Sequence, residues 1–197
     1  MHWQRKAGFA LMTAGSLLLA AFVVPTVYGR AMSHLAVAEF RSESGSHRLW
    51  DSARIRAYQR TLDVAMPVPE ALLRVPKVGI EVPVYEGTSD LTLNRGVGHV
   101  SGTAMPGALG NVAITGHRDG FFRGLKDVAV GDRIELQRAV SGGTDTYVVK
   151  RIRIVSPQDT SVLSKTDAST VTLITCYPFY YVGAAPQRYV VQAAKQE

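Results

Sequence analysis

A chain of 197 residues with a formal charge of +6 is about one domain long, with room for appendages. Its basic residues are scattered among Asp and Glu instead of gathered on one aromatic-rich stripe, which argues against a nucleic-acid surface. A single cysteine excludes an intramolecular disulfide and a cysteine-based zinc site. The five histidines (His2, His34, His47, His99, His117) form no close ligand pair, so no metal and no cofactor are expected.

The chain opens with Arg5 and Lys6, followed by an uncharged run from Ala7 to Tyr28. As a helix that run spans about 33 Å, enough to cross a bilayer core. The preceding positive charges keep the N-terminus cytoplasmic and place everything after Arg30 outside. The rival is a signal peptide cut before Arg30, with small Val27 and Gly29 at the cleavage positions. The length of the run favours an uncleaved anchor over residues 1–30, and both readings export the rest.

Residues 31–70 look like a stalk, broken by Gly45 and its neighbouring serines. A short amphipathic helix is expected over Ala53–Leu62, with Ile55, Tyr58 and Leu62 on one face. From Leu72 onward the pattern is of short strands. LLRVPKVGIEVPVYEG reads as two extended pieces interrupted by Pro76 and Pro83, at edge or bulged positions. Asn111–Thr115 reads as a buried strand ending in Gly116. DRIELQR alternates, with Ile134 and Leu136 inward. SGGTD at 141–145 is a hairpin turn signal, and TYVVKRIRIV follows as its partner. STVTLITC and QRYVVQAA are the last strands, and single helical turns are expected at Phe121–Leu125 and Thr160–Leu163. Eighteen glycines and nine prolines suit this loop-rich, all-β pattern of a barrel or sandwich.

Cys176 ends an apolar strand that Tyr177 and Pro178 terminate. If this strand pairs antiparallel with QRYVV, Cys176 and Arg188 meet at one rim. A neighbouring cation lowers a thiol pKa, and Arg188 is also placed to donate to a developing oxyanion. Proton transfer calls for a histidine. His117, after the NVAIT strand in the loop GHRDG, is the first candidate, and His99 in GVGHVSG the second. Each residue also has a plain structural alternative. The thiol could be core packing, the Gly-His-Arg loop a turn, Arg188 a surface cover, and Phe179, Tyr180 and Tyr181 core or a loop anchor.

Taken together these residues resemble the sortases, cysteine transpeptidases of bacterial surfaces. TLITC at 172–176 is similar to the family's TLxTC signature. Arg188 follows Cys176 by twelve residues at the start of a strand, and His117 in TGHRDGFFRGL follows a strand. The wording YPFYYVGAAPQRYVV resembles class D sortases and the related sortases of Gram-negative bacteria. The resemblance covers about Leu72 to Ala194. It implies a closed β-barrel of about eight strands with short helical turns over residues 71–197, preceded by the transmembrane helix and stalk. It also implies a single-pass protein of the bacterial cytoplasmic membrane with its catalytic domain outside.

The family chemistry then falls on Cys176 as nucleophile, His117 as acid and base, and Arg188 as oxyanion and substrate cation. Thr175 is placed either as an oxyanion or substrate residue or simply as a strand residue. The implied partners are a surface protein carrying a C-terminal LPxTG-like sorting signal and an amine acceptor such as a cell-wall peptide. The stretches GVGHVSGTAMPG and Ser156–Leu163 are expected to line the substrate groove. An L,D-transpeptidase would set its cysteine in an SxGC-like context with an arginine almost adjacent, unlike ITCYP. A papain-like peptidase would place the cysteine before the histidine, at a helix N-terminus. A membrane-tethered binding domain with a buried thiol is the non-enzymatic alternative, which thiol labelling separates.

Overall fold

The computed structural model describes residues 50–139, 142–181 and 183–196. In it eight strands close into a barrel: β1 (Ala71–Val75), β2 (Ile80–Glu86), β3 (Val97–His99), β4 (Asn111–Gly116), β5 (Arg133–Arg138), β6 (Thr144–Val155), β7 (Thr170–Tyr177) and β8 (Gln187–Lys195). Around the barrel the order is β1-β2-β3-β4-β7-β8-β6-β5. The seams β2–β3 and β4–β7 are parallel, and the rest are antiparallel. The expected membrane span and the stalk as far as residue 49 lie outside the described residues. Among the described residues, no helix is long and apolar enough to cross a membrane.

Strand alternation explains the interior. β1 is buried at every second residue, and Leu73, Val75, Ile134, Leu136, Val171, Leu173 and Val191 point into one core. β4 and β7 depart from alternation and are buried almost throughout. Both their faces are covered, which is why they read in sequence as continuous apolar runs. The inner face joins the main core. On the outer face Ala113, Ile174 and Val190 form a second cluster with Val162, packed by Val100, Val155 and Leu163. A 3-10 turn at Thr160–Leu163 supplies that cover.

The two prolines follow from this closure. Pro76 opens a 3-10 turn ended by Gly79 in the left-handed region, φ 66°. Pro83 lies in β2 opposite Leu72, one residue before the β3 ladder begins at Val84↔Val97. The barrel therefore offers proline a short seam where the sequence suggested a sheet edge. Two elements were not legible in advance: α2 (Asp90–Arg95), capped by Ser89, and the three-residue β3. A Cβ on Gly98 would sit 2.2 Å from the Gly87 carbonyl oxygen, so β3 can approach β2 only as glycine.

The N-terminal helix α1 (Ser52–Gln59) is capped by Asp51, whose carboxylate accepts from the Arg54 N–H at 2.8 Å. It is shorter than expected, and of its expected apolar face it is Tyr58 that docks. Ile55 and Leu62 remain exposed. Instead Trp50 packs edge-on against Phe121 at 4.7 Å and Tyr58 at 5.7 Å, and the Arg95 guanidinium lies 5.9 Å over the Tyr58 ring. Two helical turns carry too little apolar area to bind by burial alone, so aromatic edges and charge pairs hold them.

Candidate active site

The end of β4 is levelled against the end of β7 by hydrogen-bond register. Gly116 pairs with Thr175 in the parallel ladder, so His117 and Cys176 each stand one residue further on. In the antiparallel ladder Cys176 pairs directly with Arg188. The expected pairing of the last two strands is therefore present. With strands about 5 Å apart, the three residues span about 10 Å across one rim.

Alternation sets the faces. Leu173 belongs to the inner core and Ile174 to the outer cluster, so Thr175 points inward and Cys176 outward. Burial agrees: Thr175 is 1 % exposed, whereas Cys176 is a free, half-buried thiol. Arg188 shares the outer face with Val190. Its Nη1 donates to the Ala185 carbonyl at 3.3 Å and the Gln187 carbonyl at 3.0 Å, so the guanidinium rests on its own loop. The Thr175 hydroxyl donates to the Gly116 carbonyl at 2.7 Å, tying the two strand ends together immediately before His117 and Cys176.

His117 is half-buried in a turn closed by the Gly120 N–H, which donates to the His117 carbonyl at 3.1 Å. Burial holds its pKa below the ordinary 6.5, and the Arg54 guanidinium lowers it further. Asp119 and Asp90 pull the other way without prevailing. The imidazole is therefore mostly uncharged at neutral pH.

His99 has other partners. It is 2 % exposed, its Nδ1 lies 2.9 Å from Glu70 Oε2, and its Nε2 lies 3.0 Å from the Ala104 carbonyl. Both ring nitrogens are engaged away from Cys176. Among the described residues, no three His, Cys, Asp or Glu side chains gather as a metal site.

The loop after β7 is held to the His117 turn. Arg118 Nη2 donates to the Tyr181 and Gly183 carbonyls at 2.8 and 2.9 Å, and the Arg123 guanidinium lies 4.6 Å over the Tyr180 ring. Phe179 anchors the loop in the core, 5.1 Å from the Tyr189 ring, whereas Tyr180 and Tyr181 stay exposed. The stretches around Val100 and Val162 flank the outer face that carries Cys176. A cavity of about 450 Å³ lies further along, lined by Thr103, Asn111, Leu163 and Thr166. It sits at the Asn111 end of β4, about 17 Å from the Gly116 end.

Sequence reasoning did not find Arg54, which is far in sequence and marked by no motif. Arg118 and Asp119 were visible beside His117 in GHRDG, but only their contacts give them work.

Comparison with known proteins gives the family and the fold. Residues 73–196 match the Sortase domain family model. The chain is 34 % identical over 158 residues to Sortase D of Bacillus subtilis (strain 168), covering 80 % of this chain and 77 % of that one. A Clostridium perfringens sortase D5 transpeptidase superposes with a TM-score of 0.59 at 30 % identity, over 73 % of this chain and 89 % of that one. A lid mutant of sortase A from Corynebacterium diphtheriae superposes at 0.60 with 33 % identity, over 72 % and 77 %.

Proposed function

The chain belongs to the sortase family of cysteine transpeptidases, and from that we propose a membrane-anchored enzyme whose nucleophile is Cys176, with His117 and Arg188 as its partners. The observation that carries this reading is the register that brings β4, β7 and β8 to one level at His117, Cys176 and Arg188.

The proposed substrate is a surface protein with a C-terminal LPxTG-like signal. Cys176 Sγ attacks the threonine carbonyl, and Arg188 turns from its loop carbonyls to the oxyanion. His117 takes the thiol proton and delivers it to the leaving amine, so the C–N bond breaks and an acyl-thioester remains. An incoming amine then attacks, His117 accepts its proton, and Cys176 leaves as the thiol or thiolate. One difficult amide exchange becomes two easier steps. A mostly uncharged His117 suits the first role, because the base must accept a proton before it can donate one.

Thr175 acts through position in this reading. Its hydroxyl is buried on the Gly116 carbonyl, so it sets the spacing of the two strand ends. Residues 1–30 serve as the anchor with the N-terminus inside, residues 31–70 as a stalk whose last part, from Trp50, docks on the barrel, and residues 71–197 as the external catalytic domain. The acceptor is an amine of a cell-wall peptide or similar group.

The test is mass spectrometry of Cys176 after incubation with a library of LPxTG-like peptides. A mass increase equal to the acyl portion, lost on adding an amine, is expected. No adduct from any member, with the protein folded, would sink the proposal.

A further inference from the structure

Helix α1 reaches the turn that carries His117. The Arg54 side chain is 15 % exposed. Its Nε donates to Asp119 Oδ1 at 3.1 Å, and Nη2 lies 3.0 Å from the same oxygen. Its Nη1 donates to Asn94 Oδ1 at 2.7 Å, which ties the guanidinium to α2 as well. A Cβ on Gly120 would come within 3.5 Å of Arg54 Cδ and 3.4 Å of His117 Cβ, so the arginine stem lies across the turn beside the imidazole. The helix is fixed there by the Trp50–Phe121 contact and by Arg95, whose Nη1 donates to the Thr61 carbonyl at 2.6 Å.

Asp119 stands two residues after His117 in a tight turn. A carboxylate so close is a natural partner for an imidazolium, and such a pair would hold the proton that transfer chemistry needs to move. The structure gives that carboxylate a different partner. We propose that Arg54 is a positioning residue, which holds Asp119 against α1 and so keeps the His117 imidazole free to serve Cys176. This rests on the assignment of His117 as the acid and base.

The charges around His117 are consistent with that division. Arg54 faces it from α1, Asp90 from α2 and Asp119 from its own turn, and Cys176 near the end of β7 and Arg188 near the start of β8 stand at the same rim. Arg54 disfavours the imidazolium directly and also offsets Asp119, which favours it. Removing Arg54 takes away the cation and frees the carboxylate, and both changes raise the affinity of His117 for its proton.

The experiment is an NMR titration of His117 in the full-length Cys176→Ala protein, paired with the pH profile of acyl-enzyme formation in the parent. Arg54→Met is expected to move the His117 titration to higher pH, with the acid limb of the profile following. Asp119→Asn moves both to lower pH, and Arg54→Met/Asp119→Asn returns them towards the parent. An unmoved titration in Arg54→Met overturns the proposal, as does an equal loss of rate in the single and double variants with an unshifted profile. If Arg54→Met does not fold, Asp119→Asn decides alone, and an unchanged His117 titration there overturns the proposal. Acyl-enzyme formation surviving in His117→Ala would remove the assignment of His117, while the NMR arm still reports on Arg54.

Discussion

Replacing Thr175 by valine keeps the side-chain shape and removes one hydroxyl. That hydroxyl is 2.7 Å from the Gly116 carbonyl inside a residue only 1 % exposed, so no water replaces it. Loss of a buried hydrogen bond, leaving its acceptor less satisfied, costs about 1–2 kcal/mol. For a unit of this size that lowers the midpoint of thermal unfolding by about 3–6 °C. The kinetic effect is expected to be larger in proportion. Gly116 is covalently joined to His117, and a displacement of about 1 Å in a reacting pair costs up to about 100-fold in rate. Thr175→Ser is the control: it loses a methyl but keeps the donor, so acylation persists near the parent rate. The assays are calorimetry and the rate of acyl-thioester formation by mass spectrometry. The positional reasoning fails if Thr175→Val loses its rate with unchanged stability, which would put the hydroxyl on the reacting atoms. It fails equally if Thr175→Ser is as slow as valine.

Cys176→Ala is expected to abolish the acyl-enzyme, and His117→Ala and Arg188→Ala to cut turnover at least 100-fold with unfolding midpoints near the parent; a folded Cys176→Ala that still cleaves sorting peptides contradicts the mechanism. His99→Gln should lower stability by about 2–3 kcal/mol, because it leaves the buried Glu70 contact and the Ala104 carbonyl without their partner, while retaining most turnover; complete loss of activity at full stability would promote His99 over His117. The lowered pKa of His117 carries a sign for stability. The unfolded chain takes up a proton near pH 6.5 and the folded chain only at lower pH, so stability is full above about pH 6.5 and declines as pH falls through that window. Denaturant unfolding between pH 5 and 8 should show this slope reduced in His117→Ala. Gly98→Ala forces a Cβ to 2.2 Å from the Gly87 carbonyl, so β3 must shift; a loss of several kcal/mol in urea unfolding is expected, and a neutral result would mean that β3 does not lie where described.

Much of the barrel could be read locally. β4, β6, β7 and β8 fall within two residues of the expected strands, and the 160–163 turn coincides with expectation. Their signals are periodicity, proline and glycine, which depend on neighbours in the chain. α2 and β3 escaped because a six-residue helix and a three-residue strand carry almost no period of their own. The helix expected over 53–62 was found, and of its expected face Tyr58 packs as an aromatic edge while Ile55 and Leu62 stay exposed, with Arg54 completing the docking.

The motifs at Cys176, His117 and Arg188 were present in the sequence, and so was the chemistry that a thiol, an imidazole and a guanidinium offer together. Whether they meet was not. That depends on hydrogen bonds between strands, β4 with β7 roughly sixty residues apart and β7 with β8 twelve apart at Cys176 and Arg188, where a slip of one residue would turn Cys176 to the interior. Only the closed barrel decides that register, through a core that accepts Leu173 and Thr175 and leaves Cys176 outside. The same closure gives Thr175 its carbonyl and His99 its carboxylate, and the docking of α1 gives Asp119 its arginine. Side-chain identity sets what each group is able to do, and burial among non-local partners sets which of those things it does.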